Sequence, residues 1–138
     1  MQSSLMQSED YGDMARQFLR GADANFVLDE YLTGAQRMWD AAAYSVMAVC
    51  RHRNWPHQSR RDLDLSVTRL AAELRNAGRE IDALCIDTGY VIACNSHINF
   101  YHRDMDLEGG NGWYFATARK AVHRFVEVML AISESSSE

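Results

Sequence analysis

Proline, paired cysteines and alternating apolar and polar residues are all scarce in this sequence of 138 residues. Pro56 is the single proline, and no convincing alternating run is present, so we expect helices throughout and no β-sheet. The three cysteines, Cys50, Cys85 and Cys94, are an odd number without CxxC spacing and lie in apolar stretches. We interpret them as reduced core residues of a cytoplasmic protein, which excludes a disulfide framework.

Long apolar runs are also missing, so no membrane span is expected, and the segment Met1–Gln7 lacks the positive charge and apolar stretch of a signal peptide. Histidine and cysteine never occur at the i, i+4 spacing that places two metal ligands on one helical face, so we predict no metal site and no cofactor. Hydrophobic residues make up 47% of the chain, which is typical of a globular domain. We predict one domain over residues 9–133, between disordered segments at 1–8 and 134–138.

The spacing of apolar residues predicts five helices. The first is short and ends at Gly21, which takes the position after the helix end. Ser59, followed three residues later by Asp62, is typical of a capped helix start. We expect helices over residues 9–20, 25–52, 59–76, 79–102 and 113–133. The last four form an up-and-down four-helix bundle, and the first is an extra short N-terminal helix.

The fourth predicted helix is apolar on nearly every side. One of its faces carries Tyr90, Cys94, His97 and Tyr101, and a different side carries Ile81, Leu84, Val91 and Ile98. A helix of this kind is either central to a core or sandwiched at an interface. The pattern leaves both placements open.

His97 and Tyr101 are candidate catalytic residues. One hypothesis is that they form a pocket with His57 and Tyr44, in which the imidazole acts as general base for phosphodiester cleavage. The alternative is a buried polar network that fixes helix register and includes Tyr44, Asn95 and Asn99. The network is favoured, because Asn99 lies about 160° around the helix from Tyr101 and cannot share its pocket.

Basic residues cluster between the second and third predicted helices, although the net charge of the chain is −5. Arg60 and Arg61 lie in the first turn of a helix, where the macrodipole disfavours cations. A bound phosphate would account for them, with the indole of Trp55 as a stacking surface. We therefore predict a site for phosphate or RNA made of Arg53, Trp55, His57, Arg60 and Arg61. The alternative is that Arg60 and Arg61 pair with Asp62, Asp64 or a dimer partner.

Three sequence blocks are similar to a known family. They are WDAAAY at 39–44, RNWPHQSRRDL at 53–63 and HINFY at 97–101. Together they resemble the PaREP1-type proteins of archaea and bacteria, small members or relatives of the HEPN superfamily, over about residues 18–125. The resemblance implies a HEPN-like helical bundle that is often dimeric. The arginine that precedes the histidine by four to six residues in HEPN ribonucleases is not found before His97 or His102.

Three functions remain open at this point. The leading hypothesis is a homodimeric HEPN-like domain that binds RNA, a nucleotide or a protein partner through residues 51–61. The second is a metal-independent ribonuclease or toxin that uses His97 and Tyr101. The third is a non-catalytic, antitoxin-like scaffold subunit that is paired with a nucleotidyltransferase.

Overall fold

The computed structural model describes the backbone of residues 8–101 and 111–135, and the side-chain surroundings of residues 10–96 and 115–135. All regular elements within these ranges are helices, which confirms the all-helical prediction. They are α1 (Ser8–Val27), α2 (Tyr31–Arg53), α3 (Arg60–Asn76), α4 (Glu80–Tyr101) and α5 (Asn111–Ser135). Within the same ranges, no helix combines the length and the apolarity that a membrane span requires.

The first helix is longer than predicted and ends at a different place. Gly21, the predicted helix end, lies inside α1, beside the side chain of Arg37. The chain turns instead between Val27 and Tyr31, where Asp29 adopts a φ of 60°. Aspartate enters this left-handed region more readily than most residues, so the turn needs no glycine. The predictions of a short first helix and of a second helix that begins at residue 25 are therefore wrong.

Helix α2 lies at the centre of the fold and packs against each of the other four helices. Its buried residues are mainly small, and they include Ala35, Ala41, Ala42, Ala43 and Ala48. At Gly34, an added Cβ would lie 2.9 Å from the ring of Phe26 on α1. Small side chains on α2 therefore allow the neighbouring helices to approach closely, and this close approach forms the core.

Helices α4 and α5 approach each other closely at Gly89. A Cβ at this position would lie 2.5 Å from Cβ of Phe125 and 3.0 Å from the carbonyl oxygen of Ala121. Phe125 is fully buried. Glycine is therefore required at position 89 for α4 and α5 to pack at this distance.

An ion-pair cluster joins α1 to α5. The carboxylate of Asp23 accepts hydrogen bonds from Arg119, 3.1 Å from Nη2, and it lies 2.9 Å from Nε2 of His123. We call these three residues the Asp23 clamp. Arg16 pairs with Glu134 nearer the other end of the two helices. The order of these contacts along the two helices shows that α1 and α5 run antiparallel.

The outer side of α4 is apolar and open to solvent. Ile81, Leu84 and Val91 are 71%, 62% and 54% exposed. The inner side of the same helix is buried and includes Ala83 and Ile86. Among the residues that the structure describes, α4 is therefore packed on its inner side only.

Candidate anion-binding site at the α2–α3 corner

The corner between α2 and α3 follows from local chemistry. Asn54 adopts a left-handed φ of 57° and ends α2, and the N–H of Trp55 donates to the carbonyl oxygen of Cys50 at 2.9 Å. Pro56 then prevents the helix from continuing. The basic side chains in the last turn of α2 are favoured by the negative end of the helix dipole.

The start of α3 is held by a reciprocal cap. The side-chain oxygen of Ser59 accepts from the N–H of Asp62 at 3.1 Å. The carboxylate of Asp62 accepts in return from the N–H groups of Gln58 and Ser59, at 3.0 and 3.3 Å. This arrangement confirms the predicted capping box, and it commits Asp62 to backbone amides.

An open cleft of about 780 Å³ lies in this corner. Its lining residues come from the end of α2, from the connection and from the first turn of α3, and they are Cys50, Arg51, Asn54, Trp55, Pro56, His57, Gln58 and Asp62. Two of the five predicted phosphate-binding residues, Trp55 and His57, belong to this lining. Arg53, Arg60 and Arg61 do not. Arg51, which belongs to the predicted basic block 51–61 but not to these five residues, does line it.

The indole of Trp55 is packed against two cations. The guanidinium carbons of Arg53 and Arg69 lie 5.1 and 4.2 Å from its ring centroid. Both arginines form ion pairs with the carboxylate of Glu73. Its Oε1 lies 2.5 Å from Nη1 of Arg53, and its Oε2 lies 3.9 Å from Nε of Arg69. At least one face of the indole is therefore already covered, so a nucleobase that stacks on that face must displace a guanidinium.

The imidazole of His57 is oriented by two contacts. Its Nδ1 lies 3.0 Å from the carbonyl oxygen of Trp55, and its ring meets the edge of Tyr11 at a centroid distance of 5.7 Å. A carbonyl can only accept, so Nδ1 carries a proton and donates, which leaves Nε2 for a ligand. Tyr11 comes from α1, far away in the sequence, and no local signal indicates its role.

The guanidinium of Arg60 faces the protein. Its Nε donates to Asp64 at 2.9 Å and to the hydroxyl of Tyr90 at 3.2 Å, and its Nη2 contacts the sulfur of Cys94. It also lies 4.6 Å from the ring centroid of Trp39. The Tyr90 hydroxyl donates to Asp64 at 2.5 Å. Burial, together with this hydrogen bond, raises the pKa of Tyr90 far above its ordinary value. Of the two interpretations of Arg60, pairing with Asp64 is the arrangement found.

The side chain of Arg61 takes no part in the contacts that Arg60 makes. It is exposed and makes no ion pair with any residue that the structure describes. The helix repeat places it about 100° around α3 from Arg60. It does not line the cleft.

The remaining predicted residues lie outside this corner or outside the described side chains. Helix α4 includes His97, Asn99 and Tyr101, but their side chains are not among those described. The catalytic pair therefore stays a prediction. Tyr44 stacks on Phe18 of α1 at a centroid distance of 5.4 Å. Asn95 is exposed, so it is not part of a buried network.

A second basic cleft, of about 490 Å³, lies along α5. It is lined by Ala116, Arg119, Lys120, His123, Arg124 and Glu127. Two of its basic residues, Arg119 and His123, already hold Asp23 in the clamp. The i, i+4 repeat of basic residues is a signal in the sequence that could have indicated this surface.

Among the described residues, no group of three or more histidine, cysteine, aspartate and glutamate side chains is placed to hold a metal ion. No protein-family model, no curated protein and no solved structure matches this chain.

Proposed function

We propose that the cleft at the α2–α3 corner binds the phosphate groups of RNA or of a nucleotide, with Arg51 and His57 as the principal contacts. The observation that carries this proposal is the position of Arg51. It lines the cleft and makes no ion pair with any other described residue. Arg51 and His57 line the same cleft, and a guanidinium offers several donors and no acceptor, which suits an anion.

The charges around the cleft support the same proposal. Glu73 is shared between Arg53 and Arg69, so these three residues carry an excess positive charge. Asp62 is the one carboxylate in the lining, and its oxygen is taken up by the cap of α3. The corner is therefore locally basic in a chain whose net charge is −5. Such a local field attracts polyanions and raises their association rate.

The roles of the predicted residues change within this proposal. Trp55 lines the cleft with the guanidinium of Arg53 packed on its ring, and Arg60 connects α3 to α4 through Tyr90. The relation to HEPN-like bundles and the up-and-down four-helix arrangement remain our interpretation, and the all-helical architecture is compatible with both.

A fluorescence-anisotropy titration of short single-stranded RNA at two salt concentrations tests the proposal. Arg51→Ala should weaken binding at least several-fold and should reduce the dependence of log K on log salt by about 0.7, the value for one phosphate contact with a single strand. Arg20→Ala is the matched control, because Arg20 is exposed on α1 and does not line the cleft. Equal effects of both variants, or no binding at low salt, would overturn the proposal. Cleavage of the RNA on a gel would favour the ribonuclease hypothesis.

A second candidate is a non-catalytic scaffold subunit that pairs with another protein, such as a nucleotidyltransferase. The exposed apolar side of α4 favours it, because large exposed apolar patches mark interaction surfaces. Absence of RNA binding in a folded protein would leave this candidate in first place.

A further inference from the structure

Several arginines at the α2–α3 corner are already engaged by carboxylates. Arg53 and Arg69 share the carboxylate of Glu73. Arg60 pairs with Asp64. None of these three arginines lines the cleft. Among the described residues, the lining therefore contributes one guanidinium, and it offers no row of cations along which consecutive phosphates could bind.

Arg51 and His57 are connected through the backbone of Trp55. The N–H of Trp55 donates to the carbonyl oxygen of Cys50, the residue before Arg51, at 2.9 Å. The carbonyl oxygen of Trp55 lies 3.0 Å from Nδ1 of His57. These contacts hold the imidazole near the end of α2, and both side chains line the same cleft. A long guanidinium side chain and this imidazole can therefore contact one phosphate group.

The net charge of the lining depends on His57. The described lining residues include one fixed cation, Arg51, and one carboxylate, Asp62. While the imidazole is neutral, these two charges offset each other, and Nε2 can only accept a hydrogen bond, because Nδ1 carries the proton. When Nε2 is also protonated, the lining gains a positive charge and a second donor for an anion. Histidine side chains take up this proton between about pH 8 and pH 5.

The charged and titratable groups around His57 come from three helices. Tyr11 of α1 meets the imidazole edge-on, and Arg51 of α2 and Asp62 of α3 share its cleft. Cys50 also lines the cleft, and burial raises the pKa of its thiol, which stays neutral. Asp62 favours the protonated imidazole, and Arg51 opposes it. A bound phosphate adds negative charge and therefore favours protonation, so that the anion and the proton bind together.

The rest of the chain disfavours a long polyanion. Arg51, Arg53 and Arg69 are set against Asp62 and Glu73, so these five residues carry a net charge of +1. The chain carries −5 in total with neutral histidines, which leaves −6 on its other residues. Phosphates that flank the one in the cleft therefore meet a predominantly acidic protein.

A site for one phosphate favours a monoester over a diester. A phosphate monoester carries about −1.5 to −2 charges at pH 7 and presents three acceptor oxygens, whereas each phosphodiester of a nucleic acid carries one negative charge. The monoester therefore gains more from a guanidinium and a protonated imidazole, because charge-assisted hydrogen bonds are the strongest.

We propose that the cleft binds a terminal phosphate group, at the end of an RNA strand or on a mononucleotide, and that Arg51 and protonated His57 hold it. This inference rests on the proposed function and narrows it to phosphate monoesters. Because His57 must be protonated, the affinity for a terminal phosphate falls as the pH rises from about 6.5 to about 8.5. Below about pH 6 the phosphate itself loses its second charge, so binding is strongest near pH 6.5.

Fluorescence anisotropy with internally labelled RNAs of one sequence tests the proposal on the wild-type protein. The RNAs end in hydroxyl groups, in a 5′ phosphate or in a 3′ phosphate. At about pH 6.5, one of the phosphorylated RNAs should bind about tenfold more tightly than the hydroxyl RNA. At about pH 8.5 this preference should shrink to about threefold or less.

A variant of His57 tests the role of the proton. His57→Asn should abolish the pH dependence of the preference, because an amide N–H can still donate to the carbonyl oxygen of Trp55 but takes up no proton. His123→Asn is the matched control, since His123 lies on α5, outside the cleft. An unchanged pH dependence in His57→Asn, with circular dichroism like that of the wild type, would refute the assignment.

Unlabelled AMP and adenosine distinguish the two sources of the terminal phosphate. Displacement of phosphorylated RNA by AMP but not by adenosine would identify a mononucleotide as a sufficient ligand, whereas resistance to AMP would identify the phosphorylated end of RNA. If hydroxyl and phosphorylated RNAs bound equally and Arg51→Ala weakened both, this inference would fail and the proposed function would stand. If Arg51→Ala changed the binding of neither RNA, the proposed function itself would fail.

Discussion

Gly89→Ala is the substitution for which the structure predicts the clearest penalty. The added methyl carbon would lie 2.5 Å from Cβ of Phe125, whereas unbonded carbon atoms prefer about 3.5–4.0 Å. The obstructing atoms do not belong to the flexible end of a side chain. Cβ of Phe125 is fixed to a helix, and the other close atom is the backbone oxygen of Ala121. Helices α4 and α5 must therefore move apart by about 1 Å.

Two opposing effects decide the size of the change. Overpacking of this kind costs about 1–3 kcal/mol. Replacement of a glycine inside a helix by alanine returns about 1 kcal/mol through helix propensity. We therefore expect the free energy of unfolding to fall by up to about 2 kcal/mol, which lowers Tm by up to about 8 °C in a domain of this size.

The same substitution at Gly12 is a matched control with the opposite expected sign. A Cβ at Gly12 would lie 3.5 Å from Cδ2 of Leu130, which is an ordinary contact. Gly12→Ala should therefore raise the free energy of unfolding by about 0.5–1 kcal/mol. Thermal and urea unfolding followed by far-UV circular dichroism measure both variants. If Gly89→Ala and Gly12→Ala both raised Tm, the argument from close packing would be refuted.

Three further predictions concern titration, capping and thiol reactivity. Because the pKa of Tyr90 is raised on folding, its contribution to the free energy of unfolding is complete below about pH 10 and is lost as the pH rises above that value. Tyr90→Phe should therefore make the free energy of unfolding, measured with urea, fall less steeply with pH above about pH 10. An unchanged pH dependence in the variant would contradict this. Ser59→Ala should lower the free energy of unfolding by about 1 kcal/mol in urea titrations. Ser59→Asp should retain most of the stabilisation that the Ser59 cap provides, because aspartate also caps helices well. Burial raises the pKa of the Cys50 thiol, so a thiol reagent should label Cys50 more slowly than half-buried Cys85, and the reverse order would contradict the assignment.

Local signals in the sequence predicted the parts of the fold that depend on neighbouring residues. The cap formed by Ser59 and Asp62 can be predicted from four consecutive residues, and the break in the helix at Pro56 can be predicted from one. The predicted helix over residues 113–133 also depends on local spacing alone, and the structure has it as α5, Asn111–Ser135. The turn at Asp29 was missed, because its conformation is set without glycine or proline, and the apolar spacing continues across it.

The candidate site was less predictable, because its side chains are placed by contacts between distant segments. Arg60 meets Tyr90, which is 30 residues away, and this contact directs its guanidinium to α4, so that Arg60 does not line the cleft. Tyr11 orients His57 from another helix. The basic cluster itself was visible in the sequence, but the direction of each guanidinium was not, since that depends on which carboxylate or ring lies within reach after folding.

The Asp23 clamp has a consequence for the order in which the chain folds during synthesis. Helices α1 and α2 are neighbours in the sequence and can pair as soon as both have left the ribosome. Arg119 and His123, however, follow Asp23 by 96 and 100 residues. At about 5–20 residues per second, the early pair waits several seconds or more for α5. During that interval Phe26 lacks Phe115, the ring that it stacks on in the finished fold. The rate of translation therefore determines how long this apolar side of α1 is open to chaperones or to other nascent chains.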